Sequence, residues 1–338
     1  MRILIVAPQQ TEASGNLVTA RRYLQGMLLR GHAAQLLTVA PGEAERLSET
    51  VAAFRPDLLH LLHASRVGLP WLKIRDRLHL PGVTSLTGTD VNHDLDDPAL
   101  GPLVRGVLEN SAALLTQNPT TAEALPARFP ELAGKIRYLP PGIILGTDPW
   151  PLRRQAGIAP QTVVFLHPAG IRPVKGNLEL LQLFAPLAAR WKFMLGFCGP
   201  VLDARYGQSF LAEVERCPWT RYLGILPPSA VPAALAEADV VVNNSLSEGL
   251  PNALLEAASL GRPMLARDIP GNAAVVEEGV NGLLYANAEE FADKAAALLE
   301  SAELRRRLSV PLRERYHPER EAQRLEEIYR GVLAEEGK

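Results

Sequence analysis

The segment Ser245-Leu-Ser-Glu-Gly-Leu-Pro-Asn-Ala-Leu-Leu-Glu256 carries two carboxylates in a setting that suits ligand chemistry. The apolar run 239–243 before it reads as a strand. From Asn252 onward the pattern reads as a helix, with Pro251 as an early helical residue. Glu248 then falls in the loop at a strand's carboxyl end, and Glu256 about one turn into the helix. The backbone from Gly249 through Leu250 and Pro251 to Asn252 opens that helix, and N–H groups there receive hydroxyl or phosphate oxygens well. The bland alternative is a capped helix with two solvated acids. The flanking Ser-Glu-Gly and Glu-Ala-Ala favour the site.

A second segment, His167-Pro-Ala-Gly-Ile-Arg-Pro-Val-Lys-Gly176, also lies between a strand and a helix. Arg172 offers a planar fork and Lys175 a mobile point charge, a pair suited to a leaving group that gains negative charge. Gly170 and Gly176 allow a diphosphate to approach the backbone. The competing reading is a solvated basic loop. Near the start, Ser14-Gly15-Asn16 follows the opening strand at a helix N-terminus, where Gly15 gives a ligand access to the backbone. His60 and His63 end the third strand three residues apart. As metal ligands they lack companions, so no metal site is expected; a satisfied structural histidine is the simpler reading, with a polar site role for His63 as the alternative. His93, Asp94, Asp96 and Asp97 form an acidic run that reads as a solvated loop or an acceptor contact.

These loops need strands and helices to hold them. Apolar runs at 2–7, 35–39, 57–62, 83–87, 113–117 and 136–139 alternate with amphipathic stretches, the signature of βα units and a parallel sheet. The first helix is expected over 16–30, with Gly31 after it. The pattern restarts with strands at 162–167, 192–198, 221–223, 239–243 and 263–266, and with helices at 178–189, 210–215 and 252–259. The turn-rich stretch 140–149 reads as a linker. From Ala288 the chain looks helical to its end, broken at His317-Pro318. The expected organisation is α/β: a Rossmann-like domain over 1–145, a second over 146–316, and a C-terminal helix over 317–338 packing back on the first. Such domains, facing each other across a cleft, would bind ligands at the carboxyl ends of their strands.

The 338 residues suffice for two cores. With 35 Lys+Arg against 37 Asp+Glu, the chain lacks the global basic surface of a nucleic-acid binder. No apolar run is long enough to span a bilayer, and no small-residue cleavage site follows the opening strand. Cys198 and Cys217 stand in no CxxC spacing, which fits a reducing, cytoplasmic location.

Together the two loop segments resemble the retaining glycosyltransferases of family 4, which have the GT-B fold. The likeness extends over Gly199-Pro200, Tyr222-Leu-Gly-Ile-Leu226, Ala236-Glu-Ala-Asp239, the Glu248/Glu256 pair and Asn281-Gly-Leu-Leu284. A narrower likeness, through Leu86-Thr-Gly-Thr-Asp-Val-Asn92, Gly170-Ile-Arg-Pro-Val-Lys175 and the stretch from Leu265 to Val276, is to the "glycosyltransferase 1 domain-containing" group. The resemblance implies that Glu248 contacts the donor sugar and Glu256 the nucleotide ribose. It implies that Arg172 and Lys175 hold the donor diphosphate, and that the backbone around Ile225 and Leu226 meets the base. Gly15 and Asn16, with Gly88 and Asp90, would lie near the donor from the first domain, which takes the acceptor. The implied activity is metal-independent transfer from a nucleotide-diphosphate sugar, a UDP-sugar favoured, to a small-molecule or glycan acceptor, with no cofactor. Three departures stand out: Thr87 where many relatives have His, Asn272-Ala-Ala274 where a Pro-Glu pair is common, and Arg172 and Lys175 three apart rather than five. Thr87 is the feature that favours the rival reading, a non-catalytic nucleotide-sugar binder of the same fold.

Overall fold

The computed structural model describes residues 1–9 and 14–336. The chain forms two compact units, Met1–Ile144 with Tyr316–Lys338, and Leu145–Arg315.

The first unit is a parallel six-stranded sheet of order β2-β1-β3-β4-β5-β6. Its strands are β1 (Arg2–Pro8), β2 (Ala33–Val39), β3 (Leu58–Leu62), β4 (Gly82–Leu86), β5 (Ala113–Thr116) and β6 (Ile136–Tyr138). Helices α1 (Gly15–Leu29), α2 (Ala44–Phe54), α3 (Gly101–Asn110) and α4 (Pro119–Arg128) cover its faces. Alternation along β1 divides the core. Ile3, Ile5 and Ala7 pack with Tyr23 and Met27 of α1, while Leu4 and Val6 face Trp71 and Val104 on the other side.

The second unit has the order β12-β11-β10-β7-β8-β9. Its strands are β7 (Val163–Pro168), β8 (Phe193–Cys198), β9 (Thr220–Tyr222), β10 (Val240–Asn243), β11 (Met264–Arg267) and β12 (Gly282–Tyr285). Its helices include α5 (Asn177–Ala188), α6 (Ala204–Arg216), α7 (Val231–Glu237), α8 (Asn252–Ser259) and α9 (Ala288–Glu300). Phe165, Phe184, Phe193, Phe197 and Phe210 fill its core in edge-to-face and tilted pairs.

The last helix, α10 (Pro318–Glu336), belongs to the first unit. Leu325, Ile328 and Tyr329 join the core of β1 and α1. Arg22 of α1 grips Glu321 through Nε at 2.6 Å and Nη2 at 3.0 Å, both side chains buried, and Glu321 also accepts from Gly142 N–H at 3.0 Å. His60 is the satisfied core histidine: its ring nitrogens meet Tyr329 Oη at 2.5 Å and Ser85 Oγ at 2.7 Å.

Three expectations need correction. β12 was not anticipated; four residues at the sheet edge are too short to show a period. The helical reading from Ala288 instead divides into α9, a short helix Ala302–Arg307 and α10, with no helix over 308–317, where Pro311 removes a donor and disfavours helix before it. Pro251 is the residue before α8 rather than its first turn, with extended backbone at φ −79°, ψ 110°. Among the described residues no helix is long and apolar enough to cross a membrane.

Candidate active site in the second unit

In a doubly wound sheet the crevice opens where successive strands depart in opposite directions. In the second unit that point lies between β7 and β10, which pair in parallel through Val240–Phe165 and Val241–Leu166. The two loop segments leave these two strands at their carboxyl ends. Lys175 Nζ donates to Glu248 Oε1 at 2.6 Å, with the side chains 16% and 12% exposed. The same oxygen accepts from Ser245 Oγ at 2.6 Å and Asn243 Nδ2 at 3.3 Å. Burial by itself would raise the Glu248 carboxyl, but the Lys175 charge and these hydrogen bonds outweigh it and hold the group below its ordinary range. Glu248 is therefore an anion at neutral pH.

The surrounding residues fix both loops. Gly176 adopts φ +60° and lies so close to Asn244 that a Cβ would stand 2.6 Å from its backbone oxygen. Asn244 Nδ2 donates to Gly176 O at 2.7 Å, and its Oδ1 accepts from Tyr285 Oη at 2.6 Å and Arg267 Nη2 at 2.9 Å. A Cβ on Gly271 would stand 2.6 Å from Glu248 Cβ, so the β11 loop backs directly onto the acid. Asn272 Nδ2 in turn donates to Arg267 O at 2.9 Å and Asn243 Oδ1 at 3.4 Å. His167 Nδ1 donates to Val242 O at 2.9 Å and ties the tips of β7 and β10 together; burial brings its imidazole down to about 4, so it is neutral. Sequence reasoning passed over Asn243, Asn244, Ser245 and Asn272 as site-builders. A run of short amide and hydroxyl side chains at a strand's carboxyl end was the available signal.

Arg172 is half-buried at the start of the basic turn, its N–H donating to Asn177 Oδ1 at 3.2 Å and its carbonyl accepting from Lys175 N–H at 3.0 Å. Glu256 is half-buried one turn into α8. Its charge reaches Cys198 at the end of β8, where burial first and then Glu256 push the thiol up to about 12. Gly249, Leu250 and Asn252 are half-buried along the turn into α8. Past β9, Ile225 is 61% exposed while Leu226 is buried. Gly224 at φ +73° makes that turn, and its carbonyl accepts from Gly199 N–H at 2.9 Å.

The remaining expected residues lie in the first unit. Gly15 is exposed and Asn16 half-buried in the first turn of α1, whose cap Ser14 accepts from Leu17 N–H at 3.3 Å. Gly88 adopts φ +116° after β4. Asp90 is buried, and its carboxylate accepts from the N–H groups of Ala64 (3.0 Å), Thr87 (3.0 Å), Gly88 (2.9 Å) and Val91 (3.2 Å). So many backbone donors make Asp90 the clamp that shapes the loops after β3 and β4.

Residues 160–301 match the family model described as glycosyl transferases group 1. The chain is 27% identical to the glycosyltransferase 1 domain-containing protein 1 of Xenopus tropicalis, over 91% of this chain and 90% of that protein. It is 25% identical to the N-acetyl-alpha-D-glucosaminyl L-malate synthase of Bacillus anthracis, over 87% of this chain and 79% of that enzyme. Its fold superposes on the crystal structure of Anabaena HepE in complex with UDP-glucose with a TM-score of 0.80 at 17% identity, covering 98% of this chain and 100% of that one. The two parallel six-stranded sheets, each with its own switch point, are those of GT-B glycosyltransferases. The chain thus has the GT-B fold, and its residues 160–301 carry the likeness to the glycosyl transferases group 1 family.

Proposed function

We propose that the chain is a retaining, metal-independent glycosyltransferase of family 4. It transfers a sugar from a nucleotide-diphosphate donor, a UDP-sugar favoured, to a small-molecule or glycan acceptor. The observation that carries this reading is the meeting of Lys175 and Glu248 at 2.6 Å beside the β7/β10 switch point. A cation and an anion from two separate loops are held at one crevice, each poised for a different part of the donor.

In this reading Lys175 and Arg172 take the diphosphate and stabilise the charge that builds on it as the sugar departs. Glu248, kept ionised, accepts hydrogen bonds from sugar hydroxyls. Glu256 accepts from the ribose diol, and the backbone at Ile225 and Leu226 meets the base. Gly249, Leu250, Pro251 and Asn252 border the sugar and phosphate. The first unit, through Gly15, Asn16 and the Gly88–Asp90 turn, contributes to donor binding and takes the acceptor. No cofactor is required, and the donor phosphate serves as the base toward the attacking hydroxyl. UDP-glucose bound to the structurally similar HepE supports a uridine donor. The free thiols Cys198 and Cys217 support a cytoplasmic location.

The test is titration with UDP and UDP-sugars, followed by donor consumption in excess chelator. Binding of UDP with turnover that survives chelation is the expected result. Turnover restored only by manganese or magnesium would overturn the metal-free mechanism. Tight donor binding without consumption in the presence of acceptors would favour the non-catalytic binder, the reading that Thr87 supports.

A further inference from the structure

We propose that the first unit binds a small phosphate monoester in a cavity at the amino ends of β4, β5 and β6, held by Arg75, Lys135 and the indole N–H of Trp71. The inference does not rest on the glycosyltransferase reading.

The cavity measures about 630 Å³, within the range of small-molecule sites. Its lining fixes its place in the sheet. Gly82 opens β4, Ala112 directly precedes β5, and Lys135 directly precedes β6. Because these strands run parallel, their amino ends lie a full strand length from the carboxyl ends that carry Gly88 and Asp90. Doubly wound sheets take their substrates at the carboxyl ends, so an occupant here sits away from the reacting groups. The last turns of α10 lend Val332 and Glu335 to the wall, and the whole lining belongs to the first unit.

Trp71 points to a ligand. It is 1% exposed, and its buried Nε1–H has no hydrogen-bond partner among the described residues. Buried indole donors ordinarily find one. The ring is held against the end of β4: a Cβ on Gly82 would stand 2.6 Å from its Cζ2 and 3.0 Å from its Cε2, the atom bonded to Nε1. The glycine thus lets the nitrogen-bearing edge of the indole lie along the strand end that lines the cavity.

The charges around this donor are placed unequally. Arg75 and Lys135 are half-buried, whereas Asp76 is 85% exposed and Glu335 is exposed as well. Arg75 meets Asp76 through Nη2 at 3.2 Å and makes no other ion pair or hydrogen bond among the described residues. Lys135 Nζ gives one hydrogen to Glu109 O at 2.5 Å and keeps the others for a ligand. A fork, an ammonium and an indole N–H therefore line one cavity from three elements. That set suits the tetrahedral oxygens of a phosphate monoester better than the flat pair of a carboxylate. Leu80, Pro81 and Val332 offer apolar wall to the carbon part of the ester.

The full chain, labelled with 15N, is titrated with glucose 6-phosphate, succinate and glucose while the indole N–H resonances are followed. The chain has four tryptophans, and the peak lost in Trp71→Phe is the one to read. Glucose 6-phosphate should move that peak downfield, as a new hydrogen bond does, and bind about tenfold or more tightly than succinate, with glucose inert. Arg75→Ala and Lys135→Ala should each weaken it about tenfold. Lys175→Ala should leave the Trp71 titration unchanged, which separates this site from the basic turn of the second unit. Glu335→Gln should tighten the phosphate by removing a negative charge from the wall. An unmoved Trp71 peak, succinate binding as tightly, or full affinity in both Arg75→Ala and Lys135→Ala would overturn the proposal. Weaker binding in Glu335→Gln would also overturn it, since the occupant would then be a zwitterion. Should Trp71→Phe not fold, calorimetry with the same three compounds in the Lys175→Ala background, with and without Arg75→Ala, gives the same decision.

Discussion

Lys175 and Glu248 are 73 residues apart in the chain, yet their charged groups meet at 2.6 Å because their parent strands are neighbours in the sheet. The pair leaves Lys175 neutralised by a group that itself holds further hydrogen bonds, so an arriving diphosphate competes for the ammonium without stranding the acid. Replacing Lys175 or Arg172 with Ala should raise the barrier to turnover by roughly 2–4 kcal/mol, the range for losing an electrostatic stabiliser of a transition state. Binding of free UDP should weaken as well. Steady-state rates and UDP titrations on the two variants check this, and unchanged kinetics in both would remove the assignment.

The two acids are expected to fail differently. Glu256→Gln should weaken UDP and UDP-sugar alike, a uniform loss seen mostly in KM. Glu248→Gln should leave UDP binding nearly intact and lower kcat, since its partner is the reacting sugar. Each loss should amount to about 1.5–3 kcal/mol, the worth of one hydrogen bond to a charged group. Identical profiles for the two variants would contradict the assignment of ribose and sugar.

Gly176→Ala tests the support of the basic turn that carries Lys175. The new Cβ must sit at φ +60° and within 2.6 Å of the Asn244 oxygen. A stability loss of about 1–3 kcal/mol is expected from the strain, together with a fall in turnover as Lys175 is displaced from Glu248. Urea unfolding and rates report the two effects separately. A variant with unaltered turnover would show that the turn's position is not critical.

Acid should destabilise the fold well above the carboxylate range. Burial lowers His60 to about 3 and His167 to about 4, against an ordinary value of 6.5. The unfolded chain therefore binds these protons first. Stability from both residues is full above about pH 6.5 and declines as pH falls toward 4. Glu326, lowered to about 2 by Arg330 and Arg30, adds to the decline only below about 4.5. The urea midpoint should be lower at pH 5 than at pH 7, and Glu326→Gln should flatten the curve only in the more acid range. An equal or higher midpoint at pH 5 would mean that the two histidines are not held neutral.

Most of the fold was readable because strands buried on both faces are written as apolar runs. Residues 2–7 and 113–117 mark β1 and β5 to within a residue at each end. β12 and the π turn at Ala64–Gly68 left no such trace: the first is four residues at an edge, and the second depends on a backbone twist at His63 that no residue type announces. The acids and the basic turn were legible from their place between strand and helix. Their contact was not, since it follows from the order in which strands lie in the sheet, a long-range property. Asp90 shows the converse. It drew notice only through the likeness of Gly88-Thr-Asp90 to the family, and the four backbone donors around it reveal that its carboxylate serves the loop itself.

Arg22 and Glu321 join the second element of the chain to its last helix across 299 residues. On a ribosome, β1, Tyr23 and Met27 emerge long before Leu325 and Tyr329, which cover them. The second unit, made from one uninterrupted stretch, has all its residues before the first unit has its own. The face of β1 and α1 is therefore sealed only after the whole second unit has been made. Until then the apolar face of β1 and α1 waits in the open, and a chain cut short before α10 would leave that face, made long before the cut, for chaperones and proteases to find.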